Sequence, residues 1–124
     1  MIKLILPGSI RSKKNSKIAT MIGGKNTARR AMILPSKAYK AWEGPARKAA
    51  TAQYRGEIID APVHVRVTAY IRGPMPDLSG CLESIGDALQ GVVWRDDKLI
   101  VSWDGSRIYR DKEAPRTEVE VTPW

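Results

Sequence analysis

The residues of this chain best suited to metal chemistry are six carboxylates between positions 77 and 104. They are Asp77, Glu83, Asp87, Asp96, Asp97 and Asp104. Only Arg95 and Lys98 oppose them within this stretch. Hard divalent cations such as Mg²⁺ take oxygen ligands, typically one or two protein carboxylates together with waters and substrate phosphate. The cluster therefore indicates a divalent-ion site if the fold brings these side chains together.

Short connections are predicted to bring Asp77 close to the pair Asp96-Asp97. Asp77 follows Pro76 at the change from a predicted strand to a predicted helix, and Asp96-Asp97 lies in the tight link before the next strand. The structural alternative is that Asp77 is a helix N-cap and that Asp96-Asp97 is a solvated turn. Spacing alone favours this alternative over metal binding.

Residue counts exclude several other catalytic chemistries. His64 is the only histidine, which rules out multi-histidine zinc sites and paired-histidine acid–base schemes. Cys81 is the only cysteine, and its place on the apolar face of a predicted helix makes it a small core residue. Gly23-Gly24-Lys25 lacks the spacing of a phosphate-binding loop and is interpreted as a turn.

The net charge of +8 is distributed unevenly along the chain. Residues 1–60 carry thirteen basic and three acidic side chains, whereas residues 61–124 carry eight basic and ten acidic ones. A basic half beside a mildly acidic half is typical of enzymes that hold a polyanion and act on it through a carboxylate-bound metal. Nucleic-acid-binding proteins without catalytic activity show the same pattern, so both classes stay open.

Two segments have helical periodicity. The first covers residues 36–55, with Ser36 as N-cap, a core stripe that includes Tyr39 and Trp42, and a basic stripe on the opposite side. Gly44-Pro45 inside this segment predicts a kink or two short helices, because proline lacks a backbone donor and clashes with the preceding turn. The second helix is predicted from Leu78 to Gln90, ended by Gly91.

The remaining segments favour strands. Pro62 to Gly73 alternates between apolar and polar residues, as a half-buried strand does. Further strands are predicted at Ile2 to Leu6, Val92 to Trp94, Leu99 to Trp103 and Thr117 to Val121. Ser9 to Arg30 is polar and basic, and it is interpreted as a long loop or a ragged hairpin around Ile18 to Ile22.

These elements follow one another as β, basic loop, α, β, α, β, β in one predicted domain, residues 1–124. Residues 1–35 form a basic strand and loop region, residues 36–55 the basic helix, and residues 62–121 a strand–helix–strands unit that carries the acidic site. A chain of 124 residues with 43% apolar residues suffices for one core. No apolar run approaches the ~18 to 20 residues that a spanning helix needs, so we expect no membrane insertion. The single cysteine cannot close an intramolecular disulfide, and the N-terminal residues do not form the apolar stretch of a signal peptide, so we expect a reducing, cytoplasmic location.

Several short motifs resemble a known family. Pro76-Asp77-Leu78, Asp87-Ala88-Leu89 and the segment from Gly91 to Asp97 resemble, in order and spacing, the signature of RusA-type Holliday junction resolvases, small endonucleases of bacteria and their phages. Lys13-Lys14-Asn15-Ser16 and Pro35-Ser36-Lys37-Ala38-Tyr39 are similar to the family's basic segment and to the start of its first helix. The resemblance implies a RusA-like α+β fold, a homodimer, and Mg²⁺-dependent nicking of four-way DNA junctions in recombination and repair, with Mn²⁺ as an alternative ion.

The resemblance also implies roles for particular residues. Asp77 matches the first acid of the family pattern and Asp97 the third, whereas Ser79, Gly80 and Glu83 stand where the family has an Asp, an Asn and a Lys. Glu83 lies one helical turn after Ser79 with its side chain directed toward the helix N-terminus, so we hypothesise that it supplies the missing carboxylate. The alternative is that Glu83 is only a solvated helix residue. The predicted catalytic residues are Asp77, Asp97, Glu83 and Asp96, of which Asp77, Asp97 and Glu83 bind the metal.

Basic residues of the N-terminal half are predicted to follow the arms of the branched DNA through its phosphates. They are Lys13, Lys14, Asn15, Lys17, Lys37, Lys40, Arg47 and Lys48. Tyr70 and Trp94 are candidates for stacking on unpaired bases, although such residues belong more often to a core or a sheet. Two alternatives remain open: a catalytically impaired branched-DNA-binding protein of the same fold, and an RNA-binding accessory protein.

Overall fold

A computed structural model describes residues 1–13, 17–22, 30–35 and 37–124, the two short ranges as backbone only. Its strands are β1 (Ile2–Pro7), β2 (Lys17–Ile22), β3 (Arg30–Pro35), β4 (Val63–Ile71), β5 (Ile100–Ser102), β6 (Arg107–Arg110) and β7 (Arg116–Pro123). Its helices are α1 (Lys37–Gln53) and α2 (Leu78–Ala88), and a short 3₁₀ helix covers Asp97–Leu99. One mixed five-stranded sheet and two main helices make the predicted α+β fold.

Strand β4 is the centre of the five-stranded sheet. On one side it pairs antiparallel with β7, which in turn pairs antiparallel with the edge strand β1. On its other side it pairs parallel with β5 and with β6. The inward residues of β4 are all buried, and its other residues are half-buried or exposed. The alternation predicted from the sequence is therefore confirmed.

Helix α1 runs unbroken through Pro45, so the prediction of two short helices is wrong. Proline removes the hydrogen bond to the carbonyl four residues earlier, here that of Ala41. Ala41 and Pro45 both lie on the exposed side of α1, where water can satisfy this carbonyl. Tyr39 and Trp42 are buried on the opposite side, where α1 packs against β1. Burial of the core stripe thus maintains the helix across the proline.

The segment after α2 differs most from the sequence prediction. Val92 to Trp94 forms a turn rather than a strand, with the Val93 N–H donating to the Leu89 carbonyl at 2.9 Å. Trp94 is fully buried, and its indole N–H donates to the Gly86 carbonyl at 3.1 Å. The apolar residues of this segment thus pack around the end of α2. The helix accordingly ends at Ala88, two residues before its predicted end.

Two of the observed strands, β3 and β6, were not assigned from the sequence. β2 and β3 form an antiparallel pair from Lys17↔Pro35 to Ile22↔Arg30, which confirms the hairpin interpretation of the basic segment and extends it. β6 was missed because its four residues are too few to show alternation.

Across the described residues, no helix is both long and apolar enough to cross a lipid bilayer.

Candidate active site

Asp77 immediately precedes α2 in an extended conformation, and its carbonyl accepts the first helical hydrogen bond, from the Cys81 N–H at 3.1 Å. Its side chain makes no capping hydrogen bond. The Ser79 hydroxyl instead donates to Asp77 Oδ2 at 3.3 Å. Asp77 therefore occupies the N-cap position, as the structural alternative predicted, but its carboxylate does not make a capping hydrogen bond.

Asp96 and Asp97 are adjacent in sequence but have different tasks. Asp96 is the N-cap of the 3₁₀ helix, because its carboxylate accepts the Lys98 N–H at 2.9 Å. This hydrogen bond is the main reason why the pKa of Asp96 lies below its ordinary value. The Asp97 backbone N–H donates to Gln90 Oε1 at 3.0 Å, which fixes the start of the same helix. Asp96 thus caps the 3₁₀ helix, and its carboxylate also forms a side-chain hydrogen bond with that of Asp97.

The surroundings of Asp97 disfavour its charged form. Partial burial raises the pKa of Asp97, and the neighbouring carboxylates of Asp96 and Asp87 raise it further. A bound cation would relieve this repulsion between like charges.

Glu83 and Asp97 line the same open cleft, which has a volume of about 350 Å³. The other lining residues are Ser79, Leu82, Gly86 and Trp103. Asp77 does not line this cleft and borders it only through its hydrogen bond with Ser79. The structure therefore brings two of the three predicted metal ligands together and leaves the third beside them.

Among the described residues, no group of three or more His, Cys, Asp or Glu side chains is placed to hold a metal ion. The predicted set of Asp77, Asp97 and Glu83 is thus not assembled around one point. The chemistry of the cleft nevertheless fits Mg²⁺, because this ion commonly uses one or two protein carboxylates and completes its shell with water and phosphate. Glu83 and Asp97 provide two such carboxylates.

The predicted DNA contacts on α1 divide into two kinds. Lys37, Lys40 and Lys48 are exposed. Arg47 is half-buried, and its guanidinium donates to the carbonyls of Ala88 at 2.6 Å and Gln90 at 3.1 Å. Arg47 therefore donates to carbonyls at the C-terminal end of α2 that have no partner within that helix. The charge pattern of α1 predicted a DNA contact for Arg47 and did not predict this interaction.

The predicted contacts of the basic segment also differ in their surroundings. Lys13 Nζ lies 3.1 Å from Asp87 Oδ2 and 5.8 Å from the centre of the Tyr39 ring, so its charge is directed toward α2 and α1. Lys14 and Asn15 lie outside the described residues. The backbone of Lys17 belongs to β2, and its side chain is also outside the described part.

Of the two aromatic residues suggested for base stacking, Trp94 is fully buried and cannot reach DNA, so that prediction is wrong. The Tyr70 ring stacks on Tyr109, with centroids 5.7 Å apart, and the Arg116 guanidinium lies 4.0 Å from the centre of the Tyr70 ring.

Cys81 is buried as predicted, and burial, followed by the charge of Asp77, raises the pKa of its thiol to about 12. A thiol of this kind is an inert core group.

Sequence analysis missed residues that hold the acids from outside their own segments. Gln90 binds the backbone of Asp97, and Ser12 lies beside Asp77 over Gly80. The first contact joins residues seven positions apart across a turn. The second joins segments more than sixty residues apart, so no local pattern could reveal it.

The chain matches the model of a family described as endodeoxyribonuclease RusA over residues 7–122. The matched range contains β2 to β6, both helices and all of β7 except its last residue, together with all four predicted catalytic residues. No curated protein matches the chain.

Proposed function

Because the chain belongs to the RusA family of endodeoxyribonucleases, we propose that it nicks DNA at four-way (Holliday) junctions with the help of a divalent ion, Mg²⁺ or alternatively Mn²⁺. The structural observation that carries the proposal is the cleft shared by Glu83 and Asp97. The cleft has two carboxylates and lies beside a third, that of Asp77. The N-terminal half of the chain is strongly basic, as a DNA-binding surface requires. Recombination and DNA repair are the processes in which four-way junctions need resolution.

In the proposed site, Glu83 and Asp97 hold the ion, each from a different element of the fold. A bound divalent ion supplies charge stabilisation at the attacked phosphate and a more acidic water. Asp96 accepts the Lys98 N–H and thereby fixes the 3₁₀ helix that presents Asp97. Asp77 acts at the edge of the cleft, with its carboxylate oriented by the Ser79 hydroxyl.

Binding of the DNA arms is assigned to the basic half of the chain. The exposed lysines of α1, Lys37, Lys40 and Lys48, are available to phosphates without breaking a contact in the described part of the protein. Lys14, Asn15 and Lys17 remain proposed contacts of the basic segment. Lys13 and Arg47 also remain proposed contacts, although both already bind groups of α2.

We further propose that residues 1–124 act as one domain and that two copies form a homodimer. A four-way junction has two-fold symmetry, and a symmetric dimer places one active site at each of two opposed strands. Paired nicks by one protein–DNA complex are the expected result of this arrangement.

The test is cleavage of a labelled four-way junction, compared with a linear duplex of the same sequence, in Mg²⁺, in Mn²⁺ and in EDTA. Paired nicks near the branch point that need the divalent ion are expected only with the junction. Size-exclusion chromatography with light scattering of the protein–junction complex measures the number of protein copies. Equal cleavage of junction and linear duplex would contradict structure selectivity.

A catalytically impaired junction-binding protein is the second candidate function. It is favoured by one observation, the absence of a group of three metal-binding side chains among the described residues. The same experiment separates the two functions. Tight junction binding in a gel-shift assay without any nicking in Mg²⁺ or Mn²⁺ would establish the second.

A further inference from the structure

A small pocket with a polar lining lies at the end of β4, apart from the cleft of Glu83 and Asp97. We propose that it binds one phosphate of the DNA strand that is cut, with Arg11 and Arg72 as the anion-binding residues. This inference rests on the proposed function, because it takes the ligand to be a phosphodiester of junction DNA.

The pocket has the size and the lining of a site for a small anion. Its volume is about 170 Å³, below the range of about 300–1,000 Å³ that is usual for sites enclosing a whole small molecule. Ser9, Arg11, Ser12 and Arg72 line it with side chains that carry N–H or O–H groups, and the other described lining residues are apolar. No described lining residue is acidic. A phosphate group is negatively charged and accepts several hydrogen bonds, so it matches these donors.

The two arginines give the pocket its positive charge. In the described part of the chain, neither forms an ion pair with a carboxylate. Both are exposed, so a ligand can reach them from solvent. Asp77 follows the lining residue Pro76 and adds one negative charge, which two arginines exceed. The planar fork of N–H donors on arginine is also the side-chain geometry best suited to phosphate.

Hydrogen bonds hold Arg72 in place before any ligand binds. Ser9 Oγ accepts the Arg72 N–H at 2.9 Å and donates to the Arg72 carbonyl at 3.2 Å, which joins the segment after β1 to the end of β4. The Arg72 guanidinium donates through Nε to the Lys112 carbonyl at 2.8 Å and through Nη2 to the same oxygen. A guanidinium has five N–H donors, so three are left for a ligand. The carbonyl fixes the group without neutralising its charge, and a fixed group loses less entropy on binding.

The pocket adjoins the residues of the proposed active site. Pro76 lines it and directly precedes Asp77. Ser12, another lining residue, lies beside Asp77 over Gly80, where an added Cβ atom would meet both side chains. Asp77 in turn accepts the hydroxyl of Ser79, which lines the cleft. The bound phosphate is therefore one near the attacked phosphate, and not one in a distant part of a junction arm.

The test compares Arg11→Ala, Arg72→Ala and the double variant with Arg107→Ala, which removes an exposed arginine of β6 that does not line the pocket. Junction binding is measured in EDTA by fluorescence anisotropy at several salt concentrations, and folding by circular dichroism. Each single replacement should weaken binding by about tenfold, as loss of a hydrogen bond to a charged group does. Arg107→Ala should stay close to the parent protein.

The double variant shows whether the two arginines share one phosphate. It should bind junctions less than a hundredfold more weakly than the parent, because residues with a common partner do not act additively. The slope of its salt dependence should fall by about 0.9, the value for one phosphate contact. Additive losses with a fall in slope of about 1.8 would indicate two separate phosphates and would overturn the shared pocket.

Inorganic phosphate is the probe in the absence of DNA. Its titration at constant ionic strength, with chloride as the reference anion, is followed by the NMR amide signals of Ser9, Arg11 and Arg72. Saturable shifts are expected in the parent protein and not in the double variant. Saturable phosphate binding together with parental junction binding by the double variant would overturn the assignment to DNA and indicate a site for free phosphate only.

Arg11→Ala keeps the test decisive if Arg72→Ala does not fold, because Arg11 is exposed and replacement of a surface residue rarely affects stability. A folded Arg11→Ala protein with parental junction affinity, beside a parent that nicks junctions, would overturn the pocket and leave the proposed function intact. A parent protein that neither binds nor nicks junctions would overturn the proposed function, and the assignment of the pocket to DNA with it.

Discussion

Gln90 and Asp97 are joined by a hydrogen bond of 3.0 Å from the Asp97 backbone N–H to Gln90 Oε1. The Gln90 carbonyl also accepts from Arg47 at 3.1 Å, so one residue connects α1 with the segment that carries a proposed metal ligand. The position of Asp97 thus depends on the packing of α1 against the end of α2. Changes far from the cleft can therefore alter the site.

Replacing Gln90 tests this connection. Gln90→Met has a similar shape but no acceptor for the Asp97 N–H, and it leaves the Arg47 contact with the backbone in place. We expect a loss of about 0.5–1.5 kcal/mol in the free energy of unfolding, the usual net value of one hydrogen bond. The cleavage rate should fall by about tenfold, because Asp97 is less well oriented. Denaturant unfolding and single-turnover cleavage measure the two effects, and parental cleavage by Gln90→Met would remove Gln90 from the site.

Asp97→Asn keeps the shape of the side chain and removes its charge. Cleavage should fall by at least about a hundredfold if the carboxylate holds the ion. Junction binding should persist or become tighter, because a negative charge near the DNA phosphates is gone. Folding should be maintained, since burial and neighbouring carboxylates already disfavour the charged form of Asp97. Unchanged nicking in Mg²⁺ would leave Asp97 as a turn residue only.

The core of the fold was predictable because it depends on local periodicity. The alternation of Val63–Ile71 and the apolar stripe of α2 appear in the sequence and are buried in the structure. Val92 to Trp94 was mistaken for a strand because a short apolar run looks the same in a strand and in a buried turn. Only the packing of Trp94 under α2 decides between them.

The candidate site was predictable in its residue types but not in its geometry. The family resemblance placed Asp97 in the predicted site and helix spacing placed Glu83 there, and in the structure both residues line the same cleft. Asp77 lies beside Ser12, which approaches Gly80 from a distant segment. Helix spacing carries no information on such a contact, so the separation of Asp77 from the cleft could not be foreseen.

Salt dependence tests the exposed lysines of α1. The triple replacement of Lys37, Lys40 and Lys48 by Ala should weaken junction binding and flatten its dependence on salt, because each lost phosphate contact lowers the slope by about 0.9. Lys112→Ala, an exposed lysine in the connection before β7, is the matched control and should retain the parental slope. Binding is measured by fluorescence anisotropy at several salt concentrations. Identical slopes for the triple variant and the parent would show that α1 does not contact the DNA.

Asp111 provides a prediction on stability and pH. Its carboxylate accepts the Ala114 N–H, the main reason why its pKa lies below the ordinary 3.8, and it also pairs with Arg116. A carboxyl with a lowered pKa in the folded state stabilises the protein above its unfolded pKa, and the contribution is lost as the pH falls through the folded pKa. Asp111→Ala should therefore be less stable than the parent at pH 7, and the difference should shrink as the pH falls below 3.8 and through the lowered pKa of Asp111. Thermal unfolding of both proteins from pH 7 into acid measures this difference in stability. A difference that stays constant in acid would show that the charge of Asp111 is not its cause.

The role of Glu83 is decided by Glu83→Gln, which retains size and polarity and removes the charge. Glu83 is exposed on α2 and lines the cleft with Asp97, so its carboxylate is placed to share an ion with that residue. We expect cleavage to fall by about 10- to 100-fold and the required Mg²⁺ concentration to rise, because one of two ligands in the cleft is weakened.

Glu113→Gln, an exposed acid between β6 and β7, is the matched control for the loss of one negative charge and should cleave like the parent. Cleavage rates across a Mg²⁺ titration give both quantities for each variant. Should Glu83→Gln show the parental rate and an unchanged Mg²⁺ requirement, Glu83 is a solvated helix residue. The reaction would then depend on Asp77, Asp96 and Asp97 alone.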